Sequence, residues 1–151
     1  MGGSYFDQRD YTKDEETLSL GGNTTTKNKV PNILVTDDSI MVKKQICHFL
    51  NSGGYNVIGQ SDRGEESIKL YKKHFPQVDL VVMDTTMPGM SGCEAVTKIL
   101  EFDKKAKIVM ICGLGKEDIA QESVNNGALR YIVKPLYEDE FLNAISEALH
   151  Q

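Results

Sequence analysis

The sequence predicts an α/β protein, a parallel sheet covered by helices on both faces, and three observations carry that prediction. From Val30 onward, five short apolar runs alternate with five amphipathic stretches of helical spacing. Strict alternation of this kind marks β-α units whose strands lie parallel. Several runs are continuously apolar, as expected of strands buried on both faces. Turn residues then close the amphipathic stretches where the periodicity also ends.

Taken in order, Ile33-Leu34-Val35 is the first strand. Val42, Ile46, Phe49 and Leu50 recur at helical spacing and stop at Asn51-Ser52-Gly53-Gly54, a good helix terminus. Tyr55 to Gly59 is the second strand. Ile68, Tyr71 and Phe75 mark the second helix, which closes before Pro76 because proline disfavours the helical conformation in its predecessor. Leu80 to Met83 is the third strand and the most apolar. Val96, Ile99 and Leu100 give the third helix, and Ile108 to Ile111 the fourth strand. A weaker helix with Ile119, Ala120 and Val124 stops at Asn126-Gly127. Leu129 to Val133 is the fifth strand, followed by a last helix with Phe141, Leu142, Ile145, Ala148 and Leu149. The apolar character of strands one, three and four assigns them central positions.

Residues 1–30 have a different character. They carry sparse, aperiodic apolar residues, a polar Asn23-Thr24-Thr25-Thr26 run and five acids against four bases. Such a segment buries too little to offset its ordering entropy, so a flexible polar tail is expected before a domain at 31–151. The formal net charge of −5 argues against a nucleic-acid partner. No apolar run approaches the roughly 18 residues that cross a bilayer. The N-terminus lacks the features of a signal peptide, and Phe6 stands where a myristoylation motif needs Ser or Thr. Cys47, Cys93 and Cys112 are widely spaced and form no C-x-x-C pair. A cytoplasmic protein with reduced thiols, no membrane association and a monomeric state is expected.

In open parallel sheets the ligand site lies beyond the carboxyl ends of the strands. There the sequence has Asp37-Asp38 after strand one, Asp84 after strand three, Cys112-Gly113-Leu114 after strand four and Lys134-Pro135 after strand five. Any one acid reads blandly as a cap or turn former, Asp38 above all as the N-cap of the first helix. Gathered on one rim, the three carboxylates of Asp37, Asp38 and Asp84 repel one another, which a hard divalent cation relieves. Mg²⁺ suits a site with few carboxylates and several waters. Lys134 can then meet an anionic ligand.

The paired acids Asp37-Asp38, the run Asp84-Thr85-Thr86-Met87-Pro88-Gly89-Met90-Ser91-Gly92 and Lys134-Pro135 resemble, at the right separations, the receiver domain of two-component response regulators. The likeness covers residues 31–151. With nothing after Gln151, it is nearest to stand-alone chemotaxis receivers of the CheY type, with loops similar to spirochete versions. The resemblance, and not the periodicity, implies the flavodoxin-like strand order 2-1-3-4-5, for which that receiver is a standard example. It implies Asp84 as phosphoacceptor, Mg²⁺ held directly by Asp38 and Asp84 and through water by Asp37, and the Thr86 backbone carbonyl as a further ligand. Lys134 would offset phosphoryl charge, a cis Lys134-Pro135 peptide would aim it, and Tyr131 would be the rotating switch. The implied partners are a chemotaxis histidine kinase, a phosphatase and the flagellar motor switch.

Two positions depart from the family pattern. Cys112-Gly113 stands where the family has Ser or Thr followed by Ala, the pair whose hydroxyl and N–H hold the phosphoryl group. A thiol is the weaker donor, so a retuned switch is expected. Redox sensing would require an exposed Cys112 with a lowered pKa. Thr86 and Leu114 occupy positions that tune water access, and apolar Leu114 predicts slow self-hydrolysis. His48, His74 and His150 lack partners at metal-ligand spacing. A relay intermediate and a phosphorylation-independent interaction module remain open. An aspartyl phosphatase is disfavoured, since Asp84-Thr85-Thr86 lacks the second acid of an Asp-x-Asp pair.

Overall fold

The computed structural model describes residues 29–151. Apart from Lys29 and Val30, the predicted tail lies outside the described residues. Strands β1 (Asn32–Thr36), β2 (Asn56–Ser61), β3 (Leu80–Asp84), β4 (Ile108–Cys112) and β5 (Arg130–Val133) alternate with helices. The helices are α1 (Ile40–Ser52), α2 (Gly64–His74), α3 (Gly92–Phe102), α4 (Glu117–Asn125) and α5 (Glu138–Leu149). Every strand pairing is parallel. The sheet order is β2-β1-β3-β4-β5, the flavodoxin-like doubly wound arrangement.

Period-two alternation along the central strands divides the core into two apolar layers. Ile33, Val35, Leu80, Val82, Val109 and Ile111 face one layer, with Ile46, Phe49 and Leu50 of α1 and Phe141, Ile145 and Ala148 of α5. Leu34, Val81, Met83, Ile108 and Met110 face the other, with Tyr71 of α2 and Ala95, Val96 and Ile99 of α3. Both faces being covered explains why β3 and β4 read as unbroken apolar runs. The two strands predicted to be less central, β2 and β5, are the edges.

Element boundaries shift where backbone hydrogen bonds overrule side-chain character. Tyr55, predicted as strand, belongs to the turn, because its N–H donates to the Leu50 carbonyl at 2.9 Å. Gly54 makes that turn with φ +89°. Strand β2 instead runs on to Ser61. Leu129 precedes β5 and donates to the Ile108 carbonyl at 2.8 Å. Phe75 is not in α2; it is extended at φ −61°, ψ 136°, as a residue before proline should be. It is left 46% exposed against Phe102, with ring centroids 5.1 Å apart.

Candidate functional site: an acidic pocket at the carboxyl ends of the strands

Parallel register brings the ends of β1, β3, β4 and β5 to one rim of the sheet. Asp37 follows β1 and is fully buried. Its N–H donates to the Ser61 carbonyl at 3.1 Å, and its Oδ1 accepts from the Ser39 N–H at 2.8 Å. The N-cap of α1 is Ser39, whose hydroxyl accepts from the Val42 N–H at 3.2 Å. Asp38 is therefore not the cap that its position suggests, and its exposed carboxylate is uncommitted to the helix. Asp84 ends β3 and is only 4% exposed.

One oxygen from each of Asp37, Asp38 and Asp84 lies within 4.8 Å of the others. The Lys134 Nζ sits 3.1 Å from Asp37 Oδ2 and 3.5 Å from Asp84 Oδ1. The Asp37 contact is an ion pair without hydrogen-bond alignment. The backbone N–H of Lys134 donates to the Cys112 carbonyl at 2.8 Å, and the Lys134–Pro135 peptide is cis.

The electrostatics follow from burial and crowding. Burial, then the Asp37 charge, pushes the Asp84 carboxyl up to about 7; Lys134 opposes the shift, and Asp38 adds to it. Burial alone would lower the Lys134 ammonium, but Asp84 and Asp37 outweigh it and hold the group above its ordinary value. One cation among three carboxylates leaves a net negative pocket of hard oxygen donors. That donor set fits a divalent ion such as Mg²⁺.

The loop after β3 closes against the site. Ser91 and Glu94 form a reciprocal capping box that starts α3. Gly92 follows so tightly that a Cβ there would collide with the Asp84 carbonyl oxygen. The Gly92 N–H donates to the Thr85 carbonyl at 2.9 Å. Met87 anchors the loop by burying its side chain in the second core layer.

Cys112 ends β4 and is fully buried. Burial, then Glu117 and Asp84, raises its thiol pKa. Both requirements stated for a redox sensor, exposure and a lowered pKa, are therefore unmet. Thr86 is exposed, Leu114 is 80% exposed, and Gly113 lies between Cys112 and that loop. Tyr131 is partly buried, in register with Met110, and packs on the second core layer. The histidines stay apart: His48 and His150 are exposed, and His74 ends α2.

Residues 33–146 match the sequence profile of the response regulator receiver domain. The chain belongs to that family. This receiver is 48% identical over 117 residues to the chemotaxis protein CheY of Treponema pallidum, covering 78% of this chain and 81% of the relative. It is 35% identical to CheY of Bacillus subtilis, covering 78% and 97%. Among solved structures it is similar to a Borrelia burgdorferi complex described as CheX-CheY-BeF3-Mg. That match has a TM-score of 0.74 and 39% identity over 78% of this receiver and 87% of that chain. It is thus a CheY-like receiver domain.

Sequence reasoning overlooked three contributors to the pocket. Ser39 was masked by the more conspicuous Asp38. The close approach of Gly92 shows only when α3 is folded back on β3. Thr85 is 1% exposed, and its Oγ1 has no hydrogen-bond partner among the described residues. A β-branched residue beside an acid gives no sequence signal of that kind.

Proposed function

We propose that this receiver is a phosphorylation-activated switch of a chemotaxis two-component system, with Asp84 accepting the phosphoryl group of a histidine kinase. The observation that carries the reading is Lys134 Nζ set between Asp37 and Asp84, at 3.1 and 3.5 Å, at the open rim of the sheet. In the transfer, an Asp84 carboxylate oxygen bonds to phosphorus as the phosphorus–nitrogen bond of the donor phosphohistidine breaks. The imidazole departs with the electron pair and an acyl phosphate remains. Lys134 follows the negative charge onto the phosphoryl oxygens, while Cys112 and the Gly113 N–H would supply further donors. Such transfer is mainly positioning and electrostatics, which a preorganised ammonium serves well.

Asp38 and Asp84 would hold Mg²⁺ directly, Asp37 through water, and the Thr86 carbonyl would complete the protein ligands. When bound, the ion supplies positive charge that offsets the crowded carboxylates and the phosphoryl oxygens. Tyr131 would then turn on its strand and alter the face formed by α4, β5 and α5, which we assign to the flagellar motor switch. A phosphatase is the third proposed partner; the Borrelia CheY structure, a complex with a second protein, CheX, supports the binding of a protein partner. A cytoplasmic setting fits this role; no helix among the described residues is long and apolar enough to cross a membrane. The 48% identity to a chemotaxis CheY supports motor output over a relay.

The test is to add beryllofluoride with Mg²⁺ and follow tyrosine fluorescence and melting temperature, with Asp84→Asn as control. Wild type should respond only when both additions are present, and Asp84→Asn should not. A silent wild type would leave the phosphorylation-independent module, which Cys112 favours, as the better reading.

A further inference from the structure

We infer that Thr85 is a positioning residue for Cys112, its hydroxyl donating to the thiol sulfur so that the thiol donates more strongly to an anion held on Asp84. The inference rests on the phosphoacceptor reading of Asp84.

Thr85 carries a buried polar group that nothing in the fold satisfies among the described residues. Its side chain is 1% exposed, and its hydroxyl oxygen has no partner among the described residues. A buried polar group left unmade is destabilising and calls for a physical explanation. Valine has nearly the same shape and would fill the same space without that penalty.

The register shows which residue lies beside Thr85 on the neighbouring strand. Met83 pairs with Met110 and Asp84 with Ile111, and the Thr85 N–H continues the ladder by donating to the Ile111 carbonyl at 2.9 Å. One further step sets Thr85 beside Cys112. Met83 and Met110 both face the second core layer, so residues two positions on share that face. Tyr131 packs against the same layer, opposite Met110. By that alternation a buried hydroxyl, a buried thiol and the half-buried tyrosine share one side of the sheet, at the strand ends that carry Asp84.

The thiol needs such a neighbour. Cys112 is buried, and its raised pKa keeps it protonated, so it carries both a donor hydrogen and an accepting sulfur. Alone it is a weak donor. A chain from Thr85 O–H to Cys112 sulfur, and from Cys112 S–H to the anion, polarises along its length and strengthens the terminal bond. It also satisfies the Thr85 hydroxyl, so the unmade bond of the resting state becomes part of what drives the response.

The experiment is a double-mutant cycle on the full chain, read by the beryllofluoride concentration that half-saturates the Mg²⁺-dependent melting shift. Thr85→Val should raise the melting temperature without beryllofluoride, because an unsatisfied hydroxyl is removed. It should also weaken the beryllofluoride response about threefold to tenfold, the range of one net hydrogen bond. In a Cys112→Ser background, where a hydroxyl donates directly, Thr85→Val should change the response less than twofold. A merely structural role for Thr85 would move the melting temperature but not depend on residue 112. Equal response in wild type and Thr85→Val, or equal losses in the two backgrounds, overturns the proposal and leaves the phosphoacceptor reading intact. No response in wild type overturns both.

Discussion

Asp84 combines two demands that oppose each other. To accept a phosphoryl group as proposed it must be ionised, yet burial and the neighbouring Asp37 push its carboxyl up to about 7. Without a divalent ion, the folded chain binds that proton more tightly than the unfolded chain, whose Asp titrates near its ordinary value of about 4. This contribution to stability is therefore complete below about pH 4 and is lost as pH rises through about 7. Asp84→Asn abolishes the charge and should stabilise the chelated protein by roughly 2 kcal/mol at pH 8, and by much less at pH 5. Melting curves in a chelator across that range measure it, and a stabilisation independent of pH would sink the account. Mg²⁺ should shrink the pH 8 difference by relieving the same repulsion in wild type. The candidate acids and Lys134 were legible as residues because their charges interrupt apolar runs. Thr85 and Ser39 were not, because a hydroxyl becomes informative only when its burial and partners are known.

At the scale of elements, the pocket depends on how closely α3 starts against the end of β3. The capping box of Ser91 and Glu94 fixes the helix start, and Gly92 permits the approach because its missing Cβ would meet the Asp84 carbonyl oxygen. Gly92→Ala must push the helix and the loop from Thr85 to Ser91 away from the carboxylate. We expect a loss of about 1–3 kcal/mol, the usual cost of overpacking a tight contact. The larger effect should be on the beryllofluoride response, since the Thr86 carbonyl moves with the loop. Urea unfolding and the fluorescence titration report the two separately; an undiminished response would show that loop placement is unimportant. Most elements were legible from periodicity, because amphipathic helices and doubly buried strands carry distinct patterns. The errors at Tyr55, Phe75 and Leu129 share one cause. Each is an apolar residue whose backbone is committed to a turn or an extended link, and periodicity registers side chains only.

At the scale of the molecule, the two core layers and the acidic pocket found among the described residues are built from residues between Ile33 and Leu149. We take residues 31–151 as the working unit on that ground. A fragment of those residues should therefore fold and keep the Mg²⁺-dependent beryllofluoride response of the full chain, with half-saturation within about twofold. A fragment that folds but responds markedly less would assign residues 1–30 a part in the switch. The two-layer core makes this expectation specific, since among the described residues α1 and α5 cover one face and α2 and α3 the other.

The sequence by itself determined the class of fold, the central positions of β1, β3 and β4, and the identity of the charged residues at the strand ends. Those properties are local, being written in periodicity and in the intolerance of a buried strand for charge. The tertiary structure decided which side chains meet. Parallel pairing brought Asp37, Asp84 and Lys134 within ion-pair distance, although Asp37 and Lys134 stand far apart in the chain. It also buried Cys112, left the Thr85 hydroxyl one step past the Asp84–Ile111 pair without a partner among the described residues, and freed Asp38 by giving the helix cap to Ser39. Distances between strands and the burial of single atoms follow from packing the whole chain, which residue spacing does not encode.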